Sequence, residues 1–530
     1  MVFSRRLALV ATLLAAPTIS AQLLPEVIFS EVTTSTTSTV PGALDASGTP
    51  VDTDFTAIAD LHVSPDGTQW ILKATTAQPN TEANVMLLGS GTTGSIFAQE
   101  GQPVGGGAPG EVYDFFDGVA GFNSTNQFAF GARARDGVAG TLEKVIFFDG
   151  TNETIRVQQG DPALGLLDLP PAPSGDETFG NSLNSIHLLD DGTVGFVAVT
   201  LDNVSSFRRP ALFYDDQAFL QSGVDTIGSE TWDSFDSNDF RTTRDGMHYV
   251  VQGDTENSNA GADDILVVDG VIVAQEGVDL GGGVNVDGIF ASRIYDGGSW
   301  IARGDVASDD DWVLHNGTVI AQTGSAVTTT SSLVWGDIIL LVSQTPSGQP
   351  IIAGNTSNPD PNLDQVLVVG DEVVLQEGDV VDLDQNGAAD DDAFIRTFQP
   401  DDAHVTPDGM LYLLVTLRNA AGDNLGDAFI RTPVGTAPVA EFIRGDSNED
   451  GGLDIADAIF ALNLLFGTGG TVTCDDANDS NDDGGFDISD AIYTLAALFS
   501  SGSNPGAPFP NCGDDPTPDG FDCVDFASCP

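Results

Sequence analysis

The chain has 530 residues, with 79 Asp and Glu against 17 Lys and Arg, and a formal net charge of −62. That balance excludes a binder of nucleic-acid backbones, which needs clustered cations to release counterions, and it disfavours anionic membranes. Hydrophobic residues at 41% put a packed core within reach, while 61 Gly and 27 Pro point to many turns and few long helices.

Residues 1–21 read as a secretory signal. Arg5 and Arg6 give the basic start, Leu7 to Ala16 the apolar stretch, and Pro17 to Ala21 the exit, with cleavage near Ala21. About ten apolar residues are too few to cross a bilayer core of about 30 Å. No membrane insertion is expected, and the mature chain is expected to be secreted, extracellular or periplasmic.

From residue 22 to 431 a composite unit recurs. Its first half is a strand, a tight turn and a second strand, as in His62-Val-Ser-Pro-Asp-Gly67, His187-Leu-Leu-Asp-Asp-Gly192 and His404-Val-Thr-Pro-Asp-Gly409. Asp-Gly between alternating apolar runs is a hairpin signal, because Gly tolerates the positive φ such turns need. The second half is another hairpin ending in Gln-x-Gly, at Gln99, Gln158, Gln221, Gln275, Gln322 and Gln376. From Asp66 to Asp408 six steps cover 342 residues, or 57 per step, enough for four short strands and their turns. Each unit therefore reads as a blade of a mainly β fold, a β-propeller, with seven blades favoured over six or eight. The N-terminal Val27-Ile-Phe-Ser-Glu31 matches Ile96-Phe-Ala-Gln-Glu100, and is expected to close the ring by pairing around Ala428 to Thr432.

No nucleophile elbow, His-Glu-x-x-His pair or phosphate-cradling loop is present, so no catalytic residue is assigned. The five histidines mostly lie in or beside repeated strands and read as packing. Trp70, Trp232, Trp300, Trp312 and Trp335 could stack on sugars, with core packing the commoner fate of such residues. One loop is more informative. Asp382, Asp384, Asn386 and Asp390 put oxygens at positions 1, 3, 5 and 9 around Gly387, the spacing of a Ca²⁺ loop. It resembles the calcium loops between propeller blades of integrin α chains.

After a linker at 432–440 the pattern changes. Asp446, Asn448, Asp450, Gly452, Asp454 and Asp457 are repeated 33 residues later by Asp479, Asn481, Asp483, Gly485, Asp487 and Asp490. Both sets occupy positions 1, 3, 5, 7, 9 and 12 of a twelve-residue loop, in which side chains, one backbone carbonyl and a closing carboxylate surround a hard cation. Leu453 and Phe486, at position 8, are expected to pack the two loops together. A helix follows each loop. Ile455, Ile459, Leu462 and Phe466 match Ile488, Ile492, Leu495 and Phe499, and these stripes are expected to bury against each other. All four cysteines fall in this segment and read as two disulfides, with Cys474–Cys512 and Cys523–Cys529 preferred among three pairings.

The duplicated loop and helix resemble the type I dockerin domain, whose loops carry Asp at position 12, and residues 444–529 look like the C-terminal module of many secreted proteins of planctomycete-type bacteria. The resemblance implies a dockerin-like domain over 441–530 holding two Ca²⁺ ions; the propeller loop at 382–390, by its own spacing, is the candidate for a third. It also implies a protein partner, either a cohesin-like protein or an envelope component. In cellulosomal members, positions 10 and 11, here Ile455-Ala456 and Ile488-Ser489, help select that partner. The expected function is a secreted calcium-binding protein whose propeller interaction domain is tethered by this module. The alternative is an extracellular enzyme that hydrolyses or cleaves polysaccharide with a cleft on the propeller.

Overall fold

The computed structural model describes residues 24–136, 140–167, 177–202, 208–237, 239–434, 442–467, 474, 476–482, 485–500, 502–513, 523, 526, 528 and 529. The signal segment, linker residues 435–440 and the expected ligand Asp483 lie outside the described residues.

Seven four-stranded antiparallel sheets form the blades of a β-propeller. Their innermost strands are Phe55–Val63, Val112–Phe122, Glu177–Leu188, Phe240–Thr242, Gly288–Ile294, Trp335–Gln344 and Phe394–Val405. The Asp-Gly turns form as expected, with Gly67, Gly192, Gly246 and Gly409 all at positive φ. Each turn begins with the same bond across the hairpin, for example Ser64 N–H to Gln69 O at 2.8 Å and Thr406 N–H to Met410 O at 2.9 Å.

The Gln-x-Gly signature has a structural cause. Its glycine ends the outer strand, turns at positive φ, and donates its N–H to the first residues of the next blade's inner strand or the segment leading into it. The six bonds are Gly101 to Tyr113 O, Gly160 to Phe179 O, Gly223 to Trp232 O, Gly277 to Val286 O, Gly324 to Trp335 O and Gly378 to Ile395 O, at 2.6–2.9 Å. The glutamine caps the crossover from the other side: Gln275 and Gln376 donate to the carbonyls of Ala262 and Leu363 at 2.8 and 2.7 Å. The motif is thus a stitch between blades, and it repeats because the crossover repeats.

The ring closes as the N-terminal match implies. Strand β1 (Glu26–Ser30) pairs with Asn424–Pro433 as the fourth strand of the last blade, with Val27 opposite Ile430 and Ser30 opposite Ala428. This covers an edge that would otherwise template aggregation. Apolar clusters lie between neighbouring blades: Ile71 and Met86 of the first pack with Phe116, Phe128 and Phe130 of the second. All five tryptophans are buried, Trp312 completely. They fill the core and form no exposed stacking platform.

The C-terminal segment contains helices α1 (Ile455–Phe466) and α2 (Ile488–Phe499), which pack on each other. Each begins with a capping box: Asp454 and Asp487 cap the first turn, and Asp457 and Asp490 reach back to the cap backbone. Two expectations are corrected here. The apolar stripes do not bury against each other. Ile459 is 53% exposed, Phe466 70%, Ile492 58% and Phe499 68%, while the buried residues are Asp457, Ala458 and Ala461 in α1 and Asp490, Ala491 and Thr494 in α2. Position 12 must point into its loop, and at 3.6 residues per turn the stripe then lies about 170° round the helix from it. The disulfides also differ, joining Cys474 to Cys523 and Cys512 to Cys529. Residues 442 and 513 pair as an antiparallel bridge, so the tail folds back over the start of the segment. Cys474 and Cys523 then meet in an apolar cluster with Phe442, Ala477 and Phe526.

Candidate functional site

The two twelve-residue loops are built alike. Asp446 is fully buried, and its carboxylate accepts from the N–H groups of Asp450 and Gly451 at 3.1 and 2.7 Å. Asp457 accepts from Asn448 N–H at 3.3 Å and Asp454 N–H at 2.7 Å. Asp490 repeats this, with Asn481 N–H at 3.3 Å and Asp487 N–H at 2.9 Å. Asp479 is fully buried as well, and Phe486 and Leu453 are half-buried. Exposed Gly452 and half-buried Gly485 sit at position 7.

These carboxylates are crowded. Burial, with Asp446 and Asp450 adding repulsion, pushes the Asp457 carboxyl up to about 6. Burial, followed by the charge of Asp479, raises Asp490 in the same way. In the second loop the buried Oδ1 of Asn481, at position 3, has no hydrogen-bond partner. Oxygen-only donors, mutual repulsion and an unpaired inward amide oxygen together fit a hard divalent cation. The loops are not equivalent in charge. The buried Arg444 guanidinium donates to Asp479 O at 3.2 Å and lies 3.2 Å from the Asp482 carboxylate, whereas Ala477 stands 33 residues later in the repeat.

In the propeller loop the structure gathers carboxylate oxygens of Asp382, Asp384 and Asp391 within 4.8 Å of one another, a group that could hold a metal ion. Asp391 was not among the expected ligands. Its neighbour Asp390 instead accepts from the Asn386 amide at 3.3 Å. The same loop holds the closing strand, since Val27 N–H donates to Asp382 O at 3.1 Å and the Gln385 amide to Val27 O at 2.6 Å.

A third feature lies in the central channel. A cavity of about 700 Å³ opens among the inner strands. Counting back two residues from the first residue of each hairpin turn gives His62, Gly121, His187, Arg241, Arg293, Ser343 and His404, one per blade, and all seven line this cavity. They form a single rung of the propeller. His62 and His404 have ring centroids 5.9 Å apart, His404 Nε2 lies 2.8 Å from Leu61 O, and His187 Nε2 lies 3.1 Å from Thr242 Oγ1. Arg241 donates to Ile186 O at 3.5 Å. Burial and then the Arg241 charge depress the His187 imidazole to about 3, and burial with the Arg293 charge takes His404 to about 4. His62 is held well below its ordinary value by burial, by His404 and by both arginines.

Sequence reasoning missed this rung by treating the histidines as packing. The signal was present: at this offset from the turn, five of seven repeats carry His or Arg, in a chain with only 17 Lys and Arg and 5 His.

No protein-family model matches the chain, and no curated protein sequence does. Among solved structures, the chain is similar to an oligogalacturonate lyase in complex with manganese, at 11% identity over 73% of this chain and 97% of that one, with a TM-score of 0.35. It is also similar to a Trypanosoma rangeli sialidase in complex with the inhibitor DANA, at 9% identity, 77% and 59% coverage and a TM-score of 0.31. A crystal structure of a eukaryotic initiation factor matches at 11% identity, 74% and 92% coverage and a TM-score of 0.33.

Proposed function

We propose that the protein is an exported, calcium-dependent attachment protein, in which a propeller interaction domain is tethered through a dockerin-like C-terminal module. The observation that carries this reading is the pair of exposed apolar stripes on α1 and α2, held above two acidic loops. A helix pair that leaves Ile459, Phe466, Ile492 and Phe499 in solvent has a surface suited to a partner. The loops set the helices in place, so binding depends on the cation. A cohesin-like protein or an envelope component is the partner class that the dockerin resemblance implies. Two disulfides fit an oxidising compartment, and no helix among the described residues is long and apolar enough to cross a membrane.

The test is sedimentation of the full chain with cell-envelope fragments of the producing organism, in calcium or in EGTA. Retention in calcium, lost in EGTA and lost in the Ile459→Asp, Ile492→Asp double variant, supports attachment through this face. Equal sedimentation of variant and native protein in both buffers refutes it.

A second reading, an enzyme acting on polysaccharide, is favoured by the polar channel alone, since the tryptophans that could have stacked on sugars are buried. Release of oligosaccharide from a polysaccharide panel would promote it.

A further inference from the structure

We propose that the basic rung of the propeller channel is a binding site for a small oxyanion, a carboxylate, sulfate or phosphate group, held between Arg241 and Arg293 with His62, His187 and His404 around it. The proposal concerns the propeller alone and does not rest on the attachment reading.

The chain carries 62 more negative than positive charges, so its overall field repels anions, and binding one requires a local concentration of donors. The propeller supplies it by repetition. The same offset from seven turns brings two guanidinium groups and three imidazoles to one level of a cavity of about 700 Å³. Arg241 and Arg293 lie on neighbouring inner strands, and the charge of Arg293, after burial, lowers the Arg241 guanidinium to about 10. Two cations facing one cavity repel each other, and an oxyanion between them converts that repulsion into attraction. Arginine suits the task, because its planar fork meets two oxygens of one anion at once.

Carboxylates also line the channel beside this rung. Asp60, Asp239 and Asp402 sit two residues earlier along the chain. Asp60 is engaged by Lys73 at 2.7 Å, and Asp239 accepts from the Ser292 N–H and hydroxyl at 2.8 and 3.1 Å. Asp117 also lines the cavity, and at the mouth Asp296 pairs with Arg244. An anionic group meeting the arginines therefore has carboxylates beside it. That selects a ligand with one compact negative centre over a polyanion. The open blade-two position, Gly121, has nothing within 4 Å of where a Cβ would stand, which leaves room for the uncharged remainder of a larger ligand.

The experiment is isothermal titration of the full chain with sodium sulfate, inorganic phosphate and D-glucuronate, with D-glucose as the neutral control. The first two report a free inorganic anion as the natural source, and a preference for glucuronate points to the carboxylate of an acidic sugar. The expected result is one anion per chain, no response to glucose, and at least a tenfold weakening in Arg241→Gln and in Arg293→Gln, about 1.4 kcal/mol or more. Ile320→Ser, on the exposed outer strand Thr318–Gln322 and away from the channel, should leave the affinity unchanged. Should either arginine variant fail to fold, proton NMR of the native protein decides: sulfate should move the ring resonances of His62, His187 and His404 and leave those of His248, paired with Asp269, in place. No binding of any of the three anions, or binding that both variants retain within twofold, overturns the proposal.

Discussion

The propeller and the C-terminal module solve the burial problem in opposite ways. In the propeller, strand residues that alternate in sequence fill the spaces between blades, so that Leu72, Phe130, Leu212, Trp312 and Leu413 are wholly inaccessible to water. In the module, helix interiors face each other through Ala458, Ala461, Ala491 and Thr494, the loops bury Asp446, Asp457, Asp479 and Asp490, and the large apolar residues remain outside. The first region is stabilised by its own hydrophobic surface at about 25 cal/mol per Å² buried. The second buries little apolar area and several carboxylates, and it is stapled by two disulfides; on the proposed reading, cations in the loops and a partner on the helices supply the rest of its stability.

The largest difference between the two regions is expected at the loops. Asp446→Ala with Asp479→Ala, or chelation of the native protein, should abolish cooperative folding of α1 and α2 while the propeller melts unchanged. All five tryptophans are in the propeller, so tryptophan fluorescence follows that domain alone, and loss of helical circular dichroism reports the other. An unaltered helical signal in EGTA would mean that the module is self-sufficient. Next in size, Trp312→Ala should cost the propeller about 3–5 kcal/mol in urea unfolding, the usual range for emptying a packed aromatic site. Smaller again is Gly160→Ala. Its φ of +90° disfavours any side chain, although a Cβ there would meet nothing within 4 Å. The loss should be about 1–2 kcal/mol and come from the backbone alone. A loss that small in Ile459→Ser or Ile492→Ser would already be too large, since residues in solvent should change stability by no more than about 0.5 kcal/mol.

One prediction concerns pH. Burial, with the charges of Asp117 and Asp114, raises the Glu143 carboxyl from 4.5 to about 8. The folded chain therefore keeps a proton that the unfolded chain releases, and this residue disfavours the fold increasingly as pH rises from about 4.5 to about 8. Glu143→Gln should gain in melting temperature over the native protein across that interval and show little difference at pH 4. The same profile in both proteins would place the proton elsewhere.

How far the sequence could be read followed the range of the interactions involved. The Asp-Gly turns and the closing match at Val27 to Glu31 are local or repeated signals, and each took the form its residues imply. The Gln-x-Gly motif was visible as a repeat, but its purpose was not, because the partner of each glycine N–H lies in or just before the next blade's first strand. The loop at 382–390 was legible as an oxygen-rich turn. That Asp391 joins Asp382 and Asp384 depends on how the loop settles against β1.

The period, the strand and turn alternation, the closure of the ring and the duplication of the acidic loops were legible in the residue order, because these depend on residues within one turn or on likeness between repeats. Tertiary structure decided the cysteine pairs, the outward direction of the Ile and Phe stripes, and the convergence of Arg241, Arg293 and three histidines on one rung. Each of these turns on which distant segments share a space. A chain pattern records how apolar or charged a residue is, whereas its neighbours across the fold are fixed only when all the blades and loops have found their places together.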